Sequence, residues 1–277
     1  IPSGSRTSKG IPIVNVLTMQ EGEKVQALLP YSKDDTKENL VFVTTDGVVK
    51  RTSVTEFHNI NKKGKLAITL NEGDTLAYVK ATSGDEDIII AGDNGKAIRF
   101  NEKDIRLMGR TAAGVKGFNT DGGKVVGMAL SSEGDTLFAL SENGFGKRSY
   151  LSDYRLTNRG GKGVRTINVT DKTGPLVALK AVSGDEDAMI VTSNGQMIRV
   201  HLADISIYSR NTQGISVIRP GENDKVLRVT LTEHEDDQET AALPEPAQGE
   251  DTAAESQDNS NPDGETTVNA PEKELAK

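Results

Sequence analysis

Residues 114–163 read GVKGFNTDGGKVVGMALSSEGDTLFALSENGFGKRSYLSDYRLTNRGGKG, and this stretch decides the fold. Residues 125–130 and 135–140 are short apolar runs rich in β-formers. Asn143-Gly144 then offers two positive-φ positions for a tight hairpin turn, and 145–150 returns as a third strand. Residues 152–156 lead into Arg159-Gly160-Gly161-Lys162-Gly163, and Val164-Arg165-Thr166-Ile167 opens the next unit. The script recurs as 88–91, Asn94-Gly95, 97–100, and again as 189–192, Asn194-Gly195, 197–200. No long segment of 1–232 keeps a helical 3.6 period.

Outward from that stretch, two glycine series run in one phase. Gly10, Gly64, Gly114, Gly163 and Gly214 stand in basic or small-polar loops, 54, 50, 49 and 51 residues apart. Gly47, Gly95, Gly144 and Gly195 stand in turns, 48, 49 and 51 apart, each followed four residues later by an arginine: Arg51, Arg99, Arg148 and Arg199. Such a period marks a tandem supersecondary unit that buries its core only against its neighbours. Short strands at this spacing predict an all-β fold: a propeller-like ring of four-stranded blades of about fifty residues. A closed ring also removes most exposed strand edges. The chain begins at a loop, so part of one blade is expected upstream of Ile1.

The overall charge of -8 conceals two regions. Residues 233–277 hold 14 acidic and 2 basic residues, while 1–232 hold 27 acidic and 31 basic, a net of +4. We therefore expect a mildly basic repeat domain over 1–232 and an acidic, disordered tail over 233–277, too poor in apolar residues to fold. Such a tail, tethered beside a basic belt, is expected to compete with nucleic acid for it. With no cysteine, neither disulfides nor thiolate metal sites are available. No apolar run approaches the roughly 18–20 residues that span a bilayer as a helix.

The histidines, His58, His201 and His234, show no metal-ligand spacing, and no metal site is expected. The 159–163 loop lacks the spacing and following Ser/Thr of a P-loop. The twins Ser83-Gly84-Asp85-Glu86-Asp87 and Ser183-Gly184-Asp185-Glu186-Asp187 read as solvated turns rather than calcium loops. No nucleophile, base and orienter set is present, so no catalytic residue is assigned. The chemistry lies in the recurrent loops, which offer Arg6 and Lys9; Lys62, Lys63 and Lys65; Arg110 and Lys116; Arg159, Lys162 and Arg165; and Arg210. In a radial fold these charges join into one belt able to bind phosphates without reading bases. Their glycines are expected to let a phosphate approach the backbone N–H groups. Arg51, Arg99, Arg148 and Arg199 either extend the belt or pair with acids of a neighbouring hairpin.

The motifs Ser8-Lys9-Gly10-Ile11-Pro12, residues 109–117 (GRTAAGVKG), 143–148 (NGFGKR) and 153–163 (DYRLTNRGGKG) resemble the C-terminal region of the bacterial DNA gyrase A family. The resemblance runs in order through nearly all of 1–232. It implies a β-pinwheel of six blades in the intact domain, wrapping duplex DNA chirally on its basic rim in support of ATP-dependent negative supercoiling. It further implies two kinds of partner, the gyrase B subunit with a second copy of the A subunit. ATP and Mg2+ would be used elsewhere in that assembly and no cofactor here, with a cytoplasmic, chromosome-associated setting. The family's Gln-(Arg/Lys)-Arg-Gly-Gly-(Arg/Lys)-Gly box has its nearest match at Asn158-Arg159-Gly160-Gly161-Lys162-Gly163, in a later blade. The first-blade copy and the DNA-cleaving tyrosine are expected upstream of Ile1. The alternatives are the C-terminal domain of the topoisomerase IV protein related to gyrase A, or a propeller-type platform for protein partners.

Overall fold

The computed structural model describes residues 9–19, 22–29, 37–58 and 64–234. Arg6, Lys62, Lys63 and the acidic stretch from Glu235 onward lie outside the described residues. Among the described residues fifteen strands follow in chain order. β1 is Asn39–Thr44, β2 Val48–Ser53, β3 Leu76–Thr82, β4 Asp87–Gly92, β5 Lys96–Asn101, β6 Val115–Lys116, β7 Val125–Leu130 and β8 Thr136–Ser141. β9 is Phe145–Tyr150, β10 Val164–Arg165, β11 Leu176–Val182, β12 Glu186–Thr192, β13 Met197–His201, β14 Ile215–Ser216 and β15 Val226–Glu233. Hydrogen bonding sorts them into sheets ordered β3-β1-β2-β6, β7-β4-β5-β10, β11-β8-β9-β14 and β15-β12-β13.

Each blade is centred on a hairpin, and its turn differs from the one that Asn-Gly suggests. Only the glycine has positive φ (Gly47 +84°, Gly95 +75°, Gly144 +81°, Gly195 +81°); none of the preceding Asp46, Asn94, Asn143 or Asn194 does. The glycine N–H donates to the carbonyl three residues back, as from Gly144 to Ser141 at 3.0 Å. This is a type I turn closed by a left-handed glycine, the three-residue hairpin with a bulge, rather than the two-residue turn with two positive-φ positions.

The fourth strand of a blade comes from the following unit. After hairpin β4–β5 the chain goes back to the previous blade, adds the two-residue β6 antiparallel to the start of β2, and returns to its own blade as β7. β10 and β14 do the same on β5 and β9. This crossing accounts for three glycines of each series. Gly114 has φ +101°, and a side chain there would meet the Val49 carbonyl oxygen at 2.5 Å; Gly163 and Gly214 lie as close over Ala97 and Gly146. The turn glycine then receives the crossing segment. The Gly95 carbonyl accepts from Thr166 and Ile167 N–H at 2.8 and 3.3 Å, and a Gly95 side chain would strike the Ile167 carbonyl oxygen. Gly47 and Gly144 take Gly117/Phe118 and Val217/Ile218 in the same way. Gly114, Gly163 and Gly214 of one series and Gly47, Gly95 and Gly144 of the other thus mark places where one blade's backbone lies on the next, which only residues without Cβ permit. Among the described residues, Gly10, Gly64 and Gly195 have open space around them.

The core lies between blades. Successive residues of one strand face opposite neighbours: Ile88 and Ile90 pack with Val41, Val43 and Phe118, whereas Ile89 and Ala91 pack with Leu137, Ala139 and Leu179. Phe138 and Leu140 turn the other way, onto Ala188, Ile190 and Val226. A strand covered on both faces needs continuous apolar sequence, which is why these runs do not alternate. The long strands β3, β7, β11 and β15 contribute Leu76–Val79, Val125–Val126, Leu176–Ala178 and Val226–Thr230 to the lining of one cavity of about 820 Å³. They form the inner side of the pinwheel, and the crossing loops lie at the opposite side of each sheet. Among the described residues no helix is long and apolar enough to cross a membrane.

Candidate nucleic-acid interface

The strand crossing brings the basic loops edge to edge. Thr69 N–H donates to Ala112 O at 3.4 Å, Asn119 N–H to Gly161 O at 2.9 Å, Gly160 N–H to Gly117 O at 2.5 Å, and Asn168 N–H to Thr212 O at 3.1 Å. Arginines repeat the connection from one loop to the one before. Arg110 donates to Leu66 O at 3.4 Å, Arg159 to Lys116 O at 2.8 Å and Arg210 to Arg165 O at 2.9 Å. Each acceptor stands two residues past a loop glycine. The loops around Gly64, Gly114, Gly163 and Gly214 are therefore one hydrogen-bonded edge.

On that edge the basic residues divide into two groups. Arg110, Arg159 and Arg210 are half-buried and hold the loops together; Arg159 also donates to Asp104 O at 3.0 Å, and Arg110 lies 3.8 Å from Glu56. Lys65 is half-buried and donates to His58 O at 2.8 Å. Lys9, Lys116, Lys162 and Arg165 are exposed. Lys162 lies 2.9 Å from Asp121, whose carboxyl is held below its ordinary range by hydrogen bonds from Lys162 and Lys96. Among the described residues no carboxylate pairs with Lys9, Lys116 or Arg165. Gly114, Gly163 and Gly214 use their missing Cβ inward, against the neighbouring strand, so strand crossing, and not phosphate access, accounts for them.

Arg106 and Arg155 escape a reading of the sequence built on glycine loops. Both are exposed, without a carboxylate partner among the described residues, and each follows a buried residue (Ile105, Tyr154) that ends a 3-10 turn. The signal is present all the same: the two stand 49 residues apart, the interval between Gly114 and Gly163.

The second arginine series sits elsewhere. Arg51 donates to Ile105 O at 2.8 Å, Arg99 to Leu151 O at 3.0 Å and Tyr154 O at 3.3 Å, and Arg148 to Ile205 O at 2.8 Å. These acceptors are carbonyls in or just after the next unit's 3-10 turn, so each guanidinium ties two blades together. Arg99 also pairs with Asp87 of its own hairpin at 2.7 Å, and Arg199 with Asp187 at 2.5 Å. The pairing with a neighbouring hairpin's acids that was open from sequence is made by Arg51, 3.7 Å from Glu102 of the next unit, whereas the acids met by Arg99 and Arg199 belong to their own hairpins. Lys50 and Lys147 are wholly buried. The Lys50 Nζ donates to Ala67 O at 2.5 Å and to Arg110 O, and the Lys147 Nζ to Ser209 O. Burial, with Arg210 nearby, pushes the Lys147 ammonium down to about 8.

The two remaining histidines, 33 residues apart in sequence, come together on Asp187 in the last blade.

Against known proteins, the family described as DNA gyrase C-terminal domain, beta-propeller, matches residues 1–32, 38–83, 86–132, 135–183 and 186–233. The DNA gyrase A protein of Ureaplasma parvum is 44% identical over 232 residues, covering 83% of this chain and 28% of its own. The DNA gyrase A protein of Staphylococcus aureus is 42% identical over 243 residues, covering 86% and 27%. The chain thus spans less than a third of these relatives. Among solved structures, a DNA gyrase A C-terminal domain is similar with TM-score 0.72 and 26% identity over 81% of this chain and 75% of that one. The C-terminal domain of a DNA topoisomerase IV shares the fold, with TM-score 0.75 and 24% identity over 83% and 73%.

Proposed function

The chain belongs to the family of DNA gyrase C-terminal domains, and on that footing we propose that its outer loop edge binds duplex DNA through phosphates and bends the DNA around the pinwheel. The observation that carries the reading is the continuity of that edge. Loops of successive blades are hydrogen-bonded to one another and carry exposed Lys116, Lys162 and Arg165, with Arg106 and Arg155 beside them. Backbone contacts made by Lys and Arg fix the path of a duplex without reading its sequence. A curved row of them lowers the free energy of bent DNA relative to straight DNA, so flexible duplexes bind best.

Within a longer protein, the proposal places this pinwheel as the C-terminal part of the gyrase A protein. The wrap it imposes would set the handedness of strand passage during ATP-dependent negative supercoiling. A second copy of gyrase A, with gyrase B, would complete the assembly, ATP and Mg2+ would act outside this chain, and the setting would be the bacterial chromosome. The curated gyrase A relatives at 42–44% identity favour gyrase over topoisomerase IV. The testing experiment is a gel shift of the full chain with unrelated duplexes of equal length at about 50 mM salt. Retardation of every duplex alike supports the proposal. Absence of any shift, or binding of one sequence only, would favour a protein-binding platform or a sequence reader instead.

A further inference from the structure

Asp187, at the start of the hairpin β12–β13, is 3% exposed and is the meeting point of two imidazoles. His201 Nδ1 lies 2.9 Å and His234 Nδ1 2.8 Å from the same carboxylate oxygen, Oδ1, and the rings lie with centroids 3.9 Å apart, tilted 30° to one another. The other oxygen, Oδ2, accepts from Arg199 Nε at 2.5 Å. The end of β13 and the residue after β15 thus supply, from opposite sides of the central strand, two nitrogens aimed at one point.

The fold does not need this arrangement. In the second blade the same pair of Asp and Arg recurs as Asp87 and Arg99, and the position of His201 is taken by Asn101, whose Nδ2 donates to Asp87 Oδ1 at 3.0 Å. There the position of His234 is Glu133, which turns to Lys80 instead. One amide and one guanidinium satisfy the carboxylate. The last blade replaces the amide by an imidazole and adds a second.

We propose that Asp187, His201 and His234 bind a divalent ion of the late first transition row, with zinc the natural occupant. Two imidazole nitrogens and one carboxylate oxygen suit Zn2+, Co2+ and Ni2+ and discriminate against Ca2+ and Mg2+, which take oxygen ligands. The three ligand atoms lie within 4.8 Å of one another. Tetrahedral bonds of about 2.0–2.1 Å require ligand separations of about 3.4 Å, so each imidazole backs away by about half an ångström. Both histidines are partly exposed, with side chains 27% and 37% accessible. Binding replaces the Nδ1 protons; a neutral ring carries its proton on Nε2 afterwards, and a charged ring releases one. Arg199 remains on Oδ2 and orients the carboxylate, and water completes the shell from the open side. The ion would fasten the end of β15 to the last hairpin, one residue before the acidic stretch begins at Glu235.

The test uses the full chain, Zn2+ alone by calorimetry, Co2+ by visible absorption, and the variant His201→Asn. That variant copies Asn101, so it keeps the hydrogen bond to Asp187 and the fold while removing a ligand. The chain is expected to bind one Zn2+ saturably, to give the intense visible bands of tetrahedral Co2+, and to melt at higher temperature with Zn2+ until a chelator is added. His201→Asn, melting like its parent without metal, is expected to bind at least about tenfold more weakly and to lose the Co2+ bands. Equal Zn2+ affinity in parent and variant, or no saturable binding by the parent up to about 1 mM, would overturn the proposal. Should His201→Asn melt well below its parent, His234→Ala is read by the same two titrations, with the same outcomes deciding.

Discussion

Two loop glycines with nearly the same backbone conformation separate strand crossing from phosphate access as the reason for glycine. Gly163 has φ +69° and Gly64 φ +72°, so alanine costs about 1–2 kcal/mol at either from the left-handed conformation alone. Their surroundings differ. A Cβ at Gly163 would lie 2.6 Å from the Ala97 carbonyl carbon, closer still to its oxygen, and 2.9 Å from Ile98 N, whereas no described atom lies within 4 Å of one at Gly64. Relief at Gly163 requires β10 to move off β5 by about 1 Å, which disturbs the Thr166 and Ile167 hydrogen bonds to Gly95 O. Forced overpacking of this kind costs about 1–3 kcal/mol more. Gly163→Ala is therefore expected to lose about 2–5 kcal/mol and Gly64→Ala about 1–2 kcal/mol in urea titration followed by circular dichroism. DNA affinity of Gly64→Ala is expected to equal the parent's. Equal destabilisation by the two alanines would refute the crossing argument. So would a Gly64→Ala variant of unchanged stability that binds DNA tenfold more weakly, since that is what phosphate access to the backbone predicts.

Lys147 makes a pH prediction. Its ammonium titrates near 8 in the fold against 10.5 in the open chain, so between those values the unfolded state holds the extra proton and stability rises with pH. The slope is at most about 1.4 kcal/mol per pH unit. Lys147→Met, which imitates Ile98 and Ile198 at the same place in other blades, is expected to be the more stable protein at pH 7, by a margin that shrinks from pH 8 to 10; a constant margin in urea titrations refutes it. Arg99→Ala leaves Asp87 half-buried without its cation and removes the guanidinium from the Tyr154 carbonyl and from the Leu151 carbonyl, which keeps the Tyr154 N–H. It is expected to lose about 2–4 kcal/mol while the salt dependence of DNA binding stays the same; a stable variant with a flatter salt dependence would return Arg99 to the DNA belt. Ending the chain at His234 removes 13 acidic and 2 basic residues. Competition by that stretch predicts tighter DNA binding near 50 mM salt, with a gain that fades as salt rises; the same affinity throughout would contradict it.

The period, the strands and the positions of the turns, though not the turn type, were legible because each blade repeats a pattern set by local chemistry. The runs 125–130 and 145–150 are strands over those same residues, and 97–100 and 197–200 each lie within one residue of the observed ends. What sequence concealed is the partner of each short strand. Val164-Arg165 looks like the opening of the next unit, but a two-residue strand has no periodicity with which to declare the blade it joins. The consequence reached the candidate site. Gly163 and Arg159 resemble phosphate-binding residues by composition, yet one lies over Ala97 and the other reaches Lys116 O, contacts that exist only once the chain has crossed. Arg106 and Arg155 went unseen because no glycine marks them. The two histidines were unreadable for a different reason: 33 residues of sequence separate ligands that antiparallel pairing of β12 with β13 and β15 places on one carboxylate.

The central claim, that the outer edge binds DNA by neutralising phosphates, is tested most directly by the salt dependence of affinity for a non-specific duplex, measured on the full chain from about 50 to 300 mM. Each neutralised phosphate contributes about -0.9 to the slope of log K against log salt. Four to six contacts along the edge predict a slope of about -4 to -5. Replacing Lys116, Lys162 and Arg165 with alanine is expected to flatten it by about 2–3 at little cost in stability, because all three are exposed. A slope near zero for the parent, or an unchanged slope in the triple variant, would contradict the account.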